Sequence, residues 1–267
     1  MDDRPKGAPV LRPPTVADLK ASLSCGLRDF AAAPLHGLFF ATVFVVTGLA
    51  MAWITWTTGT TFWLILAVLG FPLIGSFAAL GFYEISRRRA AGQPLKLGPI
   101  VGLLWLHRTG QLPWLAVIIV VVFLFWFFLG HMIFALFLGL APMTNVSSSL
   151  GVFLTPDGLI MLAFGSAVGA VFAALVFGIS VLGIPMLLDR DVDFITAMLS
   201  SLSAVLTAPA IYVGWGIFIA LTTLLAMAPA FLGLFLIMPV LGHATWHLYV
   251  RVRAVETKST PGAASET

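Results

Sequence analysis

Charge is what this sequence has least of. Only 9% of its 267 residues are Asp, Glu, Lys or Arg, while 60% are hydrophobic. Soluble domains carry about 25% charged residues. So few charges cannot cover a water-facing surface, which excludes a soluble globular protein and makes lipid the expected solvent. Cysteine is nearly missing too. A lone Cys25 excludes an intramolecular disulfide. Catalytic signatures are also lacking. No G-x-S-x-G, H-E-x-x-H or phosphate-binding glycine loop occurs. Asp189, Asp191 and Asp193 have the spacing that opens a calcium loop, but Phe194 stands where glycine is needed and Ser200 where glutamate is needed. Residues 1–14 have no apolar segment behind a basic start, so no signal peptide is expected.

What is present is a series of long apolar runs. At roughly 20 apolar residues per crossing, the chain has room for six spans. They are expected near 35–56, 62–85, 113–140, 158–188, 209–228 and 231–253. No charge at all occurs between Phe30 and Tyr83. The expected fold is an all-α, six-helix transmembrane bundle occupying 15–253. Disordered cytoplasmic tails are expected over 1–14 and 254–267. Thr15 and Asp18 have capping-box spacing and open a short amphipathic helix with Val16, Leu19, Leu23, Leu27 and Phe30 on one face. Asp193 is placed to cap a similar helix with Ile195, Met198, Leu199, Leu202, Val205 and Leu206 in one stripe. Both helices are expected to lie on the membrane surface.

The basic residues give the orientation. All fourteen Lys and Arg fall in the N-terminal segment, the 87–108 connection, Arg190 and the C-terminal segment. The three opposite connections have none. The positive-inside rule then puts both termini in the cytoplasm. Basic residues confined to span ends also exclude a nucleic-acid-binding surface, despite a net charge of +3.

A threefold pattern runs through the layout. Odd crossings open near Pro34, Pro113 and Pro209, and even crossings carry VLGFP to Pro72, VLGIP to Pro185 and LIMP to Pro239. This reads as three helical hairpins, each introduced by a short cytoplasmic interfacial helix, with Pro72, Pro185 and Pro239 as kinks or hinges.

Few side chains could carry chemistry. His243 and His247 are four apart, on one helix face, near the cytoplasmic end of the last crossing. That spacing suits two ligands to a haem or transition metal, or a proton relay. It equally suits two imidazoles bonded to neighbouring helices or headgroups. Gly165, Gly169 and Ala173 form a small-xxx-small row for close helix packing. The spans are otherwise broken only by hydroxyls and His131, which argues against an ion pump.

The stretches PMLLDRDVDFITAM (Pro185 to Met198) and LRDFAAAPLHGLFFATVFVVTG (Leu27 to Gly48) resemble a bacterial multi-pass family catalogued only as a domain of unknown function. Some of its members bear labels mentioning cytochrome c oxidase. The resemblance, over about 15–253, implies a bacterial inner-membrane protein with respiratory company. It carries over no functional residues, and the histidines do not reproduce an oxidase ligand set. The expected function is a non-enzymatic accessory or assembly partner of a membrane complex, without a cofactor, contacting the bilayer and a membrane-protein partner or a second copy. The alternatives are a metal- or haem-binding protein using His243 and His247, and a carrier of an uncharged solute with a cavity lined by Thr42, Thr47, Ser76 and Ser180.

Overall fold

Proline sets the break points of this chain. A residue before proline is disfavoured in the α conformation. Proline itself is welcome in the first helical turn, where its missing N–H costs nothing. Ala33 (φ −139°, ψ 53°) and Ala208 (φ −140°, ψ 58°) accordingly break the chain in the same way, with Pro34 and Pro209 opening the next helices.

The computed structural model describes residues 4–59, 64–107, 109–139 and 150–254, and within these not the side chains of 64–74, 150 or 152. The expected turn over 60–63, the loop over 140–149 and the C-terminal tail from 255 lie outside the described residues. The helices are α1 (Val16–Ala32), α2 (Pro34–Thr58), α3 (Leu64–Ala90), α4 (Leu97–His107), α5 (Leu112–Leu138), α6 (Leu150–Phe153), α7 (Pro156–Ser180), α8 (Gly183–Asp189), α9 (Phe194–Thr207), α10 (Pro209–Met227) and α11 (Leu234–Val252). Among the described residues there are no strands, only two isolated β-bridges. Among the described residues four stretches are helical, long and apolar enough to cross a membrane: α2, α5, the combined α7–α8 and α10.

The helices pack in a cyclic order. The hairpin partners α2 and α3, α5 and α7, and α10 and α11 lie together. Neighbouring hairpins meet through α3 with α5, α7 with α10, and α11 with α2. At the centre α3, α8 and α11 touch one another. Each short helix lies on the second helix of the preceding hairpin: α4 on α3, α9 on α7 and α8, and α1 on α11.

Two of these short helices turn small and polar residues inward and leave much of the apolar stripe outside. α1 buries Ser22, Gly26 and Asp29, while Val16 and Leu27 remain 57% and 54% exposed. The reason is Gly26. A Cβ there would sit 2.5 Å from Val240 O and 2.8 Å from Ala244 N, so only glycine lets the α1 and α11 backbones come this close. α9 likewise buries Ala197, Ser201, Ala204 and Val205 and leaves Ile195, Leu199 and Leu206 outside. The capping residues act as the sequence indicates. Thr15 and Asp18 cap each other's backbone at α1, and Asp193 Oδ1 accepts the Thr196 N–H at 2.9 Å.

The prolines of the second helices differ from one another. α7 stops at Ser180 and α8 starts at Gly183, so the chain breaks just before Pro185. Ser201 of α9 repairs that break: its hydroxyl donates to Gly178 O at 2.6 Å and accepts the Leu182 N–H at 3.1 Å. Pro239 sits buried inside a continuous α11. Pro72 lies within the helical backbone of α3, where side chains are not described.

The N-terminal segment departs from the expected disordered tail. Residues 4–14 run as a strap over the end of the molecule that carries the arginines, here called the basic end. Gly7 N donates to Asp191 O at 3.0 Å and Asp191 N to Pro5 O at 3.0 Å. Arg12 N donates to Val252 O at 2.9 Å and Ala254 N to Val10 O at 2.8 Å. Prolines that block helix formation do not block these isolated bridges, because the donors come from Gly7 and Arg12.

Candidate functional site

α11 buries eleven of its nineteen residues, and both histidines singled out from the sequence lie on it. They do not share a ligand position. His243 is fully buried. Its Nδ1 lies 3.0 Å from Phe82 O and 2.8 Å from Ser86 Oγ, both on α3. A proton on Nδ1 satisfies the Phe82 carbonyl, and Nε2 is then a buried acceptor without a hydrogen-bond partner. His247, one turn on, faces α1 instead. Its Nε2 is 2.8 Å from Asp29 Oδ2. Among the described residues no group of three or more His, Cys, Asp or Glu could hold a metal ion.

Asp29 joins three helices. It accepts Arg89 Nε of α3 at 2.9 Å through Oδ1 and meets His247 of α11 through Oδ2. The Ser86 hydroxyl also bonds to it. Burial pushes the Asp29 carboxyl up, but the hydrogen bonds from His247, Ser86 and Arg89 outweigh it and hold the group at about 2. Hydrogen bonds thus tie His243 to Ser86 of α3 and His247 to Asp29 of α1.

Two further ion clusters occupy the same end. Glu84 of α3 is fully buried. It takes Arg87 Nε at 2.6 Å and Arg88 Nε at 2.6 Å. The consecutive arginines 87–89 thus divide: two turn back onto their own helix and the third reaches α1. On the opposite flank Asp189 of α8 accepts the Tyr249 hydroxyl at 2.8 Å and Arg253 through its guanidinium. Arg190 Nε lies 3.6 Å away. A buried pair stabilises little in net terms, yet removing one member strands the other at a cost of about 3–5 kcal/mol. These clusters fix which helix ends meet.

The packing row lies partly on a helix seam. A Cβ at Gly169 would meet Trp126 Nε1 at 3.1 Å and one at Gly165 would meet Ile133 at 3.9 Å, both on α5. Ala173 is exposed and off that seam. Tighter contacts occur at Gly26, Gly81 and Gly242, the last against Phe82. Sequence reasoning missed Asp29, Ser86, Asp189 and the strap. The available signal for Asp29 was a row of small or polar residues, Ser22, Gly26, Asp29 and Ala33, at helical spacing.

Apolar helices of crossing length, with ionic groups gathered at one end, define an integral membrane protein. Residues 64–189 match the family model described as a predicted integral membrane protein, DUF2189, whose function is unknown. The match begins where α3 begins and ends where α8 ends, so this part of the chain is similar to that family. It is narrower than the resemblance over 15–253, and Asp29, His247 and Arg253 fall outside it. No curated protein and no solved structure matches the chain.

Proposed function

We propose that this protein is a six-crossing, non-enzymatic membrane protein that works by packing against a membrane-protein partner, as an accessory or assembly factor, with both termini in the bacterial cytoplasm. The observation that carries the reading is the use made of its buried charges. Asp29, Glu84 and Asp189 are each bound to basic groups of the same chain. The Asp29 and Asp189 pairs latch different helices together and the Glu84 pairs tie the end of α3 to itself, leaving apolar helix faces as the surface on offer. α10 is the clearest case, with Val213, Ile217, Leu221 and Leu224 all well exposed. The two further crossings are α3 and α11. Their 27 and 19 residues reach about 40 and 28 Å at 1.5 Å per residue. The one-sided placement of Lys and Arg supplies the orientation. Recovery of a stoichiometric membrane complex with the tagged protein, from native membranes in mild detergent, supports this function. A lone monomer, with no crosslinked neighbour in the native membrane, overturns it.

The metal or haem reading rests on one atom, the unpartnered Nε2 of His243, because His247 is engaged by Asp29. A colourless, metal-free preparation from native membranes would remove it. The carrier reading has less support, since Thr42 and Ser180 spend their hydroxyls on carbonyls of their own helices.

A further inference from the structure

Two guanidiniums at the basic end converge on one sulphur atom. Arg28 of α1 donates to Cys25 Sγ at 3.0 Å, and Arg251 of α11 reaches the same atom at 3.6 Å. Other arginines at this end meet carboxylates, as Arg12 does Asp18 and Arg89 does Asp29. Among the described residues no carboxylate meets Arg28 or Arg251. A thiol is a weak acceptor, and both side chains are exposed, so the donors of both forks face outward with little to bind. Their spacing is held by the backbone. Arg28 follows Gly26, where α1 and α11 touch backbone to backbone, and Asp29, which is bonded to His247. Arg251 lies one turn beyond His247 on the same helix. Two nitrogens in contact with one sulphur are near enough for the oxygens of a single phosphate to bridge them. Arginine forks match phosphate geometry.

The surroundings indicate where such a phosphate comes from. α1 runs at Ala33 and Pro34 straight into α2, a helix of crossing length. Its outer face carries exposed Lys20 and Ser24 beside Val16 and Leu27, which are 57% and 54% exposed. A helix lying at a membrane surface presents basic residues to headgroups and apolar ones to acyl chains. We propose that Arg28 and Arg251 clamp the phosphate of an anionic phospholipid, one whose headgroup carries no ammonium, with its acyl chains beside Leu27. The absence of a carboxylate from the clamp is the selective element. An ammonium would find no acceptor there and would be repelled by both arginines. Lys20, two turns away, adds to the positive field without touching the phosphate.

The full-length protein is delipidated in an uncharged detergent. Its thermal midpoint is followed as phosphatidylglycerol, phosphatidylethanolamine or inorganic phosphate is added. Phosphatidylglycerol should raise the midpoint saturably, half-saturating at roughly tenfold or more below phosphatidylethanolamine. A basic residue at an anionic surface contributes roughly fivefold in affinity, so Arg28→Gln and Arg251→Gln should each raise the half-saturating concentration by about that factor. Lys96→Gln removes an exposed charge from the α3–α4 connection and should leave it unchanged. Alkylation of Cys25, the only cysteine, should slow over the same concentration range, because the bound phosphate covers its sulphur. Equal responses to the two lipids, an equal loss in Lys96→Gln, or wild-type half-saturation in both arginine variants overturns the proposal. Stabilisation that leaves Cys25 alkylation unchanged places the lipid elsewhere and overturns it too. Inorganic phosphate acting at the same concentration as phosphatidylglycerol overturns the lipid as the occupant. Both arginines are exposed, so neither variant disturbs the core.

Discussion

Adding one methyl group at Gly26 should unlatch α1 from α11. The new Cβ would lie 2.5 Å from Val240 O, and ordinary contact begins near 3.4 Å, so α1 must withdraw by about 0.9 Å. Both neighbouring atoms belong to the α11 backbone and cannot rotate aside. Overpacking of this kind costs about 1–3 kcal/mol. Withdrawal also stretches the 2.8 Å contact between Asp29 and His247 towards the limit of a hydrogen bond. A hydrogen bond to a charged group contributes about 1.5–3 kcal/mol. Alanine returns about 1 kcal/mol of helix propensity. Gly26→Ala should therefore destabilise by about 2–4 kcal/mol, read by thermal unfolding in detergent, with protease cleavage appearing first in α1. Gly165→Ala is the control, because its Cβ meets only Ile133 at an ordinary 3.9 Å. If Gly26→Ala unfolds with the wild type, or Gly165→Ala is equally harmed, the close crossing of α1 and α11 is wrong.

Other perturbations test separate parts of the account. The Asp29 carboxyl is lowered from 3.8 to about 2, so it contributes stability that is fully present above about pH 4 and lost as pH falls through 2. The unfolding midpoint should drop over that window, and Asp29→Asn should flatten the drop while lowering the midpoint at pH 7. Ser201→Ala should cost about 1–3 kcal/mol, since it leaves the buried Leu182 N–H and Gly178 carbonyl unpaired, whereas the same change at exposed Ser203 should be silent in thermal melts. Asp193→Ala should cost about 1 kcal/mol through loss of the α9 cap, measured the same way.

The sequence made the helices and their caps legible, because proline, capping spacing and apolar length act locally. Pro34 and Pro209 open α2 and α10 where expected, and Thr15 with Asp18 caps α1 while Asp193 caps α9. Which faces pack was not legible. The leucine stripes of α1 and α9 read as faces laid on the membrane surface, which leaves open what lies on the inward side. In lipid the exterior is as apolar as leucine, so close packing selects small residues and hydroxyls instead. Gly26, Asp29, Ala197 and Ser201 are therefore the inward positions. The ion clusters were illegible for another reason. Asp29 meets a histidine 218 positions away and Asp189 an arginine 64 positions away, and no local spacing encodes such pairs. His243 and His247 stand out in the sequence as two imidazoles on one helix face, yet that face does not give them a shared hydrogen-bond partner: His243 meets α3 and His247 meets α1.

The most direct test of the six-crossing latched bundle is side-specific cysteine labelling in native membranes. In a Cys25→Ser background, single cysteines replace Thr58 at the end of α2, Gln93 after α3 and Ala228 after α10. The account predicts that Gln93→Cys is labelled only from the cytoplasmic side, and Thr58→Cys and Ala228→Cys only from the outside. Labelling of Thr58→Cys and Gln93→Cys from the same side would mean that α3 does not cross, and would contradict the architecture on which the proposed function rests.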